Sequence, residues 1–153
     1  MSYDDFINVA LDAAVLAGEK IMEVYNASEH IDFESKNDNS PLTIADKKSH
    51  DIIVNMLKKT GTHIISEESE SIDYQIRKKW KEYWLIDPLD GTKEFIKKNG
   101  EFTVNIALIK NNSPFIGIVY CPVKKILYWN DSNKNVFKKI IGKEKKQLNK
   151  RKK

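Results

Sequence analysis

A thirteen-residue stretch, Trp84-Leu-Ile-Asp-Pro-Leu-Asp-Gly-Thr-Lys-Glu-Phe-Ile96, constrains this chain more than any other. Tyr83 to Ile86 is a short apolar, aromatic-rich run and reads as a strand. Pro88 is expected to end it, because proline has no N–H for a sheet ladder. Asp87 and Asp90 flank the turn, and Gly91 allows a sharp bend or a close backbone approach. Thr92 to Lys97 then reads as a helical turn. Carboxylates at a strand end offer hard oxygen ligands to Mg²⁺. The N–H groups of a following helix start offer an anion cradle. Metal and phosphate therefore suit this stretch, although Asp-Pro-x-Asp-Gly is also ordinary turn chemistry.

The segments before it are helical and polar in turn. Residues 3–26 carry Phe6, Ala10, Ala13, Ala17, Ile21 and Val24 at three- and four-residue steps, an amphipathic helix with Ser2 as its cap. Residues 27–42 read as a polar loop containing Lys36. A second helix is expected from Ile44 to Lys59, with Thr43 at the N-cap and Asp46 at the third position, a capping-box pattern. Gly61 stops it. His63 to Ser66 is a short strand with Glu67 and Glu68 at its end. Adjacent exposed glutamates usually carry no role; these share a strand-end position with Asp87. A helical turn is expected within Tyr74–Trp80.

Beyond the central stretch the pattern becomes β-rich. Strands are expected at Phe102–Ile109, Pro114–Cys121, Lys125–Trp129 and Val136–Ile141, with short polar turns that favour antiparallel pairing. Two helices followed by hairpins predict an α+β fold, the helices packed on an antiparallel sheet. His30, His50 and His63 lie in unrelated contexts and form no ligand cluster.

The central stretch resembles the metal-site signature of the inositol monophosphatase superfamily, which comprises Mg²⁺-dependent phosphatases. Lys93-Glu-Phe-Ile96 and Asn99-Gly-Glu-Phe-Thr-Val-Asn-Ile-Ala-Leu-Ile109 resemble its CysQ-type 3'(2'),5'-bisphosphate nucleotidase branch. Lys36-Asn-Asp-Asn-Ser-Pro-Leu-Thr-Ile-Ala-Asp46 resembles a second signature. The resemblance implies a layered α/β sandwich. It implies a Mg²⁺ site made by Glu67, Asp87, Asp90 and the Leu89 carbonyl. Thr92, with Glu67, would orient and deprotonate the attacking water, and Asp46 would point at metal-bound water. Gly91, Thr92 and Lys36 would hold the phosphate. The implied reaction converts adenosine 3',5'-bisphosphate to AMP and phosphate, a recycling step in sulfur metabolism. An inositol-phosphate substrate is the alternative within the class.

The resemblance runs from about Ala17 to Lys139 and then stops. The third signature, a Trp-Asp-x-x-Ala-Gly-like string, is missing, so the chain resembles the N-terminal half of an enzyme. An inactive half-domain that binds metal weakly is the alternative from outside the enzyme class.

The chain has 153 residues, 41% hydrophobic and 31% charged, enough for one domain with a core. The net charge of +4 misleads. Residues 138–153 hold nine Lys and Arg and one Glu, while the remainder carries 17 basic and 21 acidic residues. That distribution argues against nucleic acid as a partner. The expected organisation is a domain over residues 1–141 and a basic tail over 142–153, exposed and poorly ordered or loosely helical. A single cysteine, Cys121, suits a reducing, cytoplasmic setting. No apolar run reaches the roughly 18 residues of a membrane span. Peripheral contact of the basic tail with an anionic membrane is a further expectation.

Overall fold

In a computed structural model that describes residues 1–38 and 41–148, helices cover one face of a seven-stranded sheet. Helix α1 spans Tyr3–Ala27 and α2 spans Ile44–Leu57, followed by a 3-10 turn at Lys58–Thr60. Both expected capping boxes form: Ser2 with Asp5, and Thr43 with Asp46. Each satisfies backbone donors that the first helical turn leaves unpaired. The inward face of α1 is mostly small residues, Ala10, Ala13, Ala14, Ala17 and Gly18. This lets the helix axis lie close to its neighbours. A Cβ on Gly18 would fall 2.3 Å from the Tyr120 ring.

The sheet order follows the chain. β3 is His63–Ser66, β4 Glu82–Asp90, β5 Thr103–Lys110, β6 Ser113–Cys121, β7 Ile126–Asn130, β8 Val136–Ile140 and β9 Lys146–Leu148. Short helices α3, Tyr74–Arg77, and α4, Thr92–Ile96, flank β4. Trp84, Ile86, Ile106, Leu108, Ile116 and Ile118 are buried against α1 and α2. Trp84 is wholly enclosed, and its indole N–H donates to Thr60 Oγ1 at 3.0 Å.

Four expectations are corrected. The sheet is mixed, since β3 and β4 pair in parallel; the charged connection over residues 67–81 is long enough to cross back. Pro88 does not end its strand. β4 continues to Asp90 through a register shift between Asp87 and Asp90, where the missing proline N–H costs no ladder bond. The loop over residues 27–42 holds an antiparallel pair, β1 at Phe33–Ser35 and β2 at Pro41–Thr43. The tail turns at Gly142 and returns as β9, an exposed edge strand paired with β8. Residues 39–40 and 149–153, which include the end of the basic tail, lie outside the described residues. Among the described residues no helix is long and apolar enough to cross a membrane.

Candidate functional site

Parallel pairing of β3 with β4 brings two strand ends together. The Glu67 N–H donates to the Ile86 carbonyl at 3.0 Å, so Glu67 sits beside Asp87. The two carboxyl groups share a hydrogen bond, and Asp90 is close enough for its charge to bear on Asp87. Burial first, then the Glu67 charge and hydrogen bond, then Asp90, push the Asp87 carboxyl up to about 7, against the Leu89 N–H that favours its ionised form. That N–H donates to Asp87 Oδ1 at 3.2 Å, closing an Asx turn over Pro88. Ser49 of α2 donates to the Pro88 carbonyl at 2.7 Å and pins the turn from below.

Asp46 is fully buried at the start of α2. Its Oδ2 accepts from the Thr43 N–H at 2.8 Å and from the Thr43 hydroxyl. Its Oδ1 accepts from the Thr92 hydroxyl at 3.0 Å. Thr92 lies 3.2 Å from the Leu89 carbonyl as well. Its single proton chooses between two acceptors, and the Asp46 carboxylate is the stronger.

Lys36 does not stand open toward a phosphate. Its ammonium pairs with Glu68 at 2.6 Å and Glu67 at 3.1 Å. Burial works against the Lys36 charge but is outweighed by these two partners, so its pKa lies above the usual lysine value. Burial raises the Glu68 pKa despite Lys36, and Asp46 and Glu67 add to the rise.

Gly91 caps α4 with φ at 94°. A Cβ there would approach the Glu101 carbonyl oxygen to 2.9 Å. The backbone therefore requires glycine between Asp90 and Thr92.

Asn105 was not anticipated as a site residue. It lies opposite Asp87 in the β4–β5 register and donates to Asp90 Oδ2 at 2.9 Å, while Thr103 donates to Asn105 Oδ1 at 3.1 Å. Its only signal was its place in a strand that otherwise alternates. Ser66, 2.8 Å from His50 Nδ1, is another buried polar contact the sequence did not indicate.

The donor set suits a hard divalent cation: three carboxylates and the Leu89 carbonyl, with like charges crowded enough to raise Asp87. Among the described residues, however, no group of three or more His, Cys, Asp or Glu side chains is placed to hold a metal ion as they stand. Lys36 engages Glu67 and Asn105 engages Asp90.

A pH dependence follows for the metal-free protein. The folded Asp87 binds its proton more tightly than the unfolded chain, whose value is 3.8. Stability contributed by the bound proton is complete below pH 3.8 and is lost as pH rises to about 7. Urea unfolding in a chelator is expected to show a lower midpoint at pH 8 than at pH 5. Asp87→Asn should flatten that difference. A wild-type midpoint equal at both pH values contradicts the crowding.

A model of the inositol monophosphatase family matches residues 2–152. The 3'(2'),5'-bisphosphate nucleotidase CysQ of Shigella flexneri is 49% identical over 113 residues, 73% of this chain and 46% of that protein. A crystal structure of CysQ from Bacteroides thetaiotaomicron superposes with a TM-score of 0.74 at 50% identity, over 89% of this chain and 50% of that one. The suhB extragenic suppressor protein of Bartonella henselae superposes with a TM-score of 0.77 at 29% identity, over 88% and 52%. The chain thus spans about half the length of the relatives it matches.

Proposed function

Since the chain belongs to the inositol monophosphatase family, we propose that it carries the metal-holding and water-activating half of a phosphoric monoester hydrolase. The substrate class is a 3'(2'),5'-bisphosphorylated nucleotide, with adenosine 3',5'-bisphosphate converted to AMP and phosphate. The observation that carries this reading is the Thr92–Asp46 hydrogen bond beside the Glu67, Asp87 and Asp90 carboxylates. The similarity to CysQ proteins supports the nucleotide over an inositol phosphate.

Glu67, Asp87, Asp90 and the Leu89 carbonyl would hold Mg²⁺. When bound, the ion neutralises phosphoryl charge and makes a water more acidic. The chain's own groups do the rest. Asp46 keeps the Thr92 proton directed at itself, so the Thr92 oxygen lone pairs are free to accept a proton from a water. A proton arriving at Thr92 Oγ1 is matched by one passing to Asp46 Oδ1. Asn105 orients Asp90 through Oδ2 and leaves Oδ1 for a ligand. Lys36 spreads its charge over Glu67 and Glu68, beside Asp87. Glu67 is thereby better placed as a ligand than as the base.

Phosphate release from adenosine 3',5'-bisphosphate, with and without Mg²⁺, tests the reading on this chain and on the chain completed with a CysQ second half. Mg²⁺-dependent release is expected at least in the completed protein. Absence of release in both overturns the proposal. Calorimetric titration separates the roles. Asp90→Asn is expected to weaken Mg²⁺ binding by roughly tenfold or more, because it removes a charge directly facing the ion. Equal affinity in wild type and Asp90→Asn would remove Asp90 from the site.

A further inference from the structure

Asn99 and Gly100 lie in the turn that joins α4 to β5, and they are the only Asn-Gly pair in the sequence. Both flanks of the turn are anchored. The Lys98 ammonium donates to the Tyr25 and Ser28 carbonyls at the end of α1. Phe102 is buried against Phe95 and Tyr25, at ring separations of 5.2 and 5.1 Å. Between these anchors Asn99 is exposed and Gly100 holds φ at 79°. The Glu101 N–H donates to Asn99 Oδ1 at 2.9 Å and closes an Asx turn over Gly100. That turn folds the Asn99 side-chain carbonyl back over the Gly100 nitrogen, which no side chain of its own shields. Among the described residues nothing accepts from the Gly100 N–H or from the Asn99 NH₂. Asn105, Asn130 and Asn135 differ, since each donates its NH₂ to a protein oxygen.

We infer that Asn99 is a self-modification site, at which the Gly100 nitrogen attacks the side-chain amide and water converts the product to aspartate or isoaspartate. The bond from Gly100 N to Asn99 Cγ forms, and the Cγ–Nδ2 bond breaks. The Gly100 proton departs with Nδ2 as ammonia. The cyclic imide then takes up one water. Opening at Cγ returns the proton to Gly100 N and leaves aspartate. Opening at the backbone carbonyl leaves isoaspartate, whose main chain runs through the former side chain. One water enters, one ammonia leaves, and nothing is oxidised or reduced. The Glu101 N–H faces the oxygen on which charge develops as the nitrogen adds, as donors do in acyl-transfer sites. Isoaspartate lengthens the main chain by one carbon just ahead of Glu101, whose carbonyl oxygen crowds Gly91 at the start of α4. The chemistry uses backbone, side-chain amide and water alone, so it does not depend on the hydrolase reading.

Incubation of the full chain in mildly alkaline buffer, followed by peptide mass mapping, reads the conversion. The peptide holding Asn99 is expected to gain the mass difference between NH₂ and OH roughly tenfold or more faster than those holding Asn112 or Asn133, which are exposed but lack a following glycine. Part of that product should accept a methyl group from a protein isoaspartyl methyltransferase. The native chain should convert at least as fast as the chain in urea, because the folded turn already holds the reacting atoms together. Asn99→Gln adds a methylene between backbone and amide and should abolish the conversion. Isoaspartate-containing chain should unfold at lower urea than fresh chain, and Asn99→Asp, which keeps an oxygen for the Glu101 N–H, should unfold with the fresh chain. Conversion confined to the urea-unfolded chain overturns the inference, because the fold then protects Asn99. So does amide loss that persists in Asn99→Gln, or native conversion no faster at Asn99 than at Asn112 and Asn133. Isoaspartate-containing chain as stable as fresh chain overturns the link to Gly91.

Discussion

Thr92→Ala is expected to lower turnover by about 10²-fold or more in whichever form hydrolyses the bisphosphate, while Mg²⁺ affinity stays close to wild type. A positioned proton acceptor contributes on that order. In the proposed mechanism the Thr92 hydroxyl joins water chemistry to the buried Asp46 carboxylate, to which it donates at 3.0 Å. None of the proposed ligand atoms belongs to its side chain. Asp46→Asn provides the companion measurement. The amide oxygen can keep accepting from Thr43, which preserves the cap of α2. The amide NH₂ then faces Thr92, which can turn its proton to the Leu89 carbonyl at 3.2 Å. Stability should therefore change little, while turnover falls as in Thr92→Ala. If Thr92→Ala weakens Mg²⁺ binding as strongly as Asp90→Asn, Thr92 serves the ion and the proton path through Asp46 is wrong.

Gly91→Ala is expected to be the most destabilising small substitution around the site. The residue would have to hold φ at 94°, which costs an L-residue about 1–2 kcal/mol. Its Cβ would also press on the Glu101 carbonyl oxygen at 2.9 Å and the Phe102 Cα at 3.3 Å. Both are backbone atoms of the chain leading into β5, so relief requires moving the strand and costs about 1–3 kcal/mol more. A loss of about 3 kcal/mol lowers Tm by roughly 10 °C in a chain of this size. Gly61→Ala is the comparison, with positive φ but nothing within 4 Å of its Cβ, so it carries only the conformational cost. Equal Tm losses in the two variants would show that the close approach at Gly91 adds nothing.

The family and the local elements that carry the candidate site were legible because their signals are local. Thr43 and Asp46 are three residues apart, and the capping box they form needs only that spacing. The strand–turn–helix of the central stretch has Asp87, Asp90, Gly91 and Thr92 nearly adjacent, so residue types alone indicated carboxylates beside a helix start. The apolar period of α1 and the alternation along β5 and β6 likewise depend on neighbours within one element.

What the sequence determined by itself is therefore the set of elements and the chemistry each one carries. Tertiary structure decided who meets whom. The direction of β3 against β4 places Glu67 beside Asp87, and nothing in either segment states that direction. Asp46 and Thr92 are 46 residues apart, and their hydrogen bond exists only because α2 docks beneath β4. Lys36, chosen from its loop as a phosphate ligand, is held by Glu67 and Glu68 across the β1–β2 pair. Asn105 reaches Asp90 only through the β4–β5 register. Propensity and periodicity act over a few residues, whereas pairing, register and charge partners are settled by burial of the whole sheet against α1 and α2.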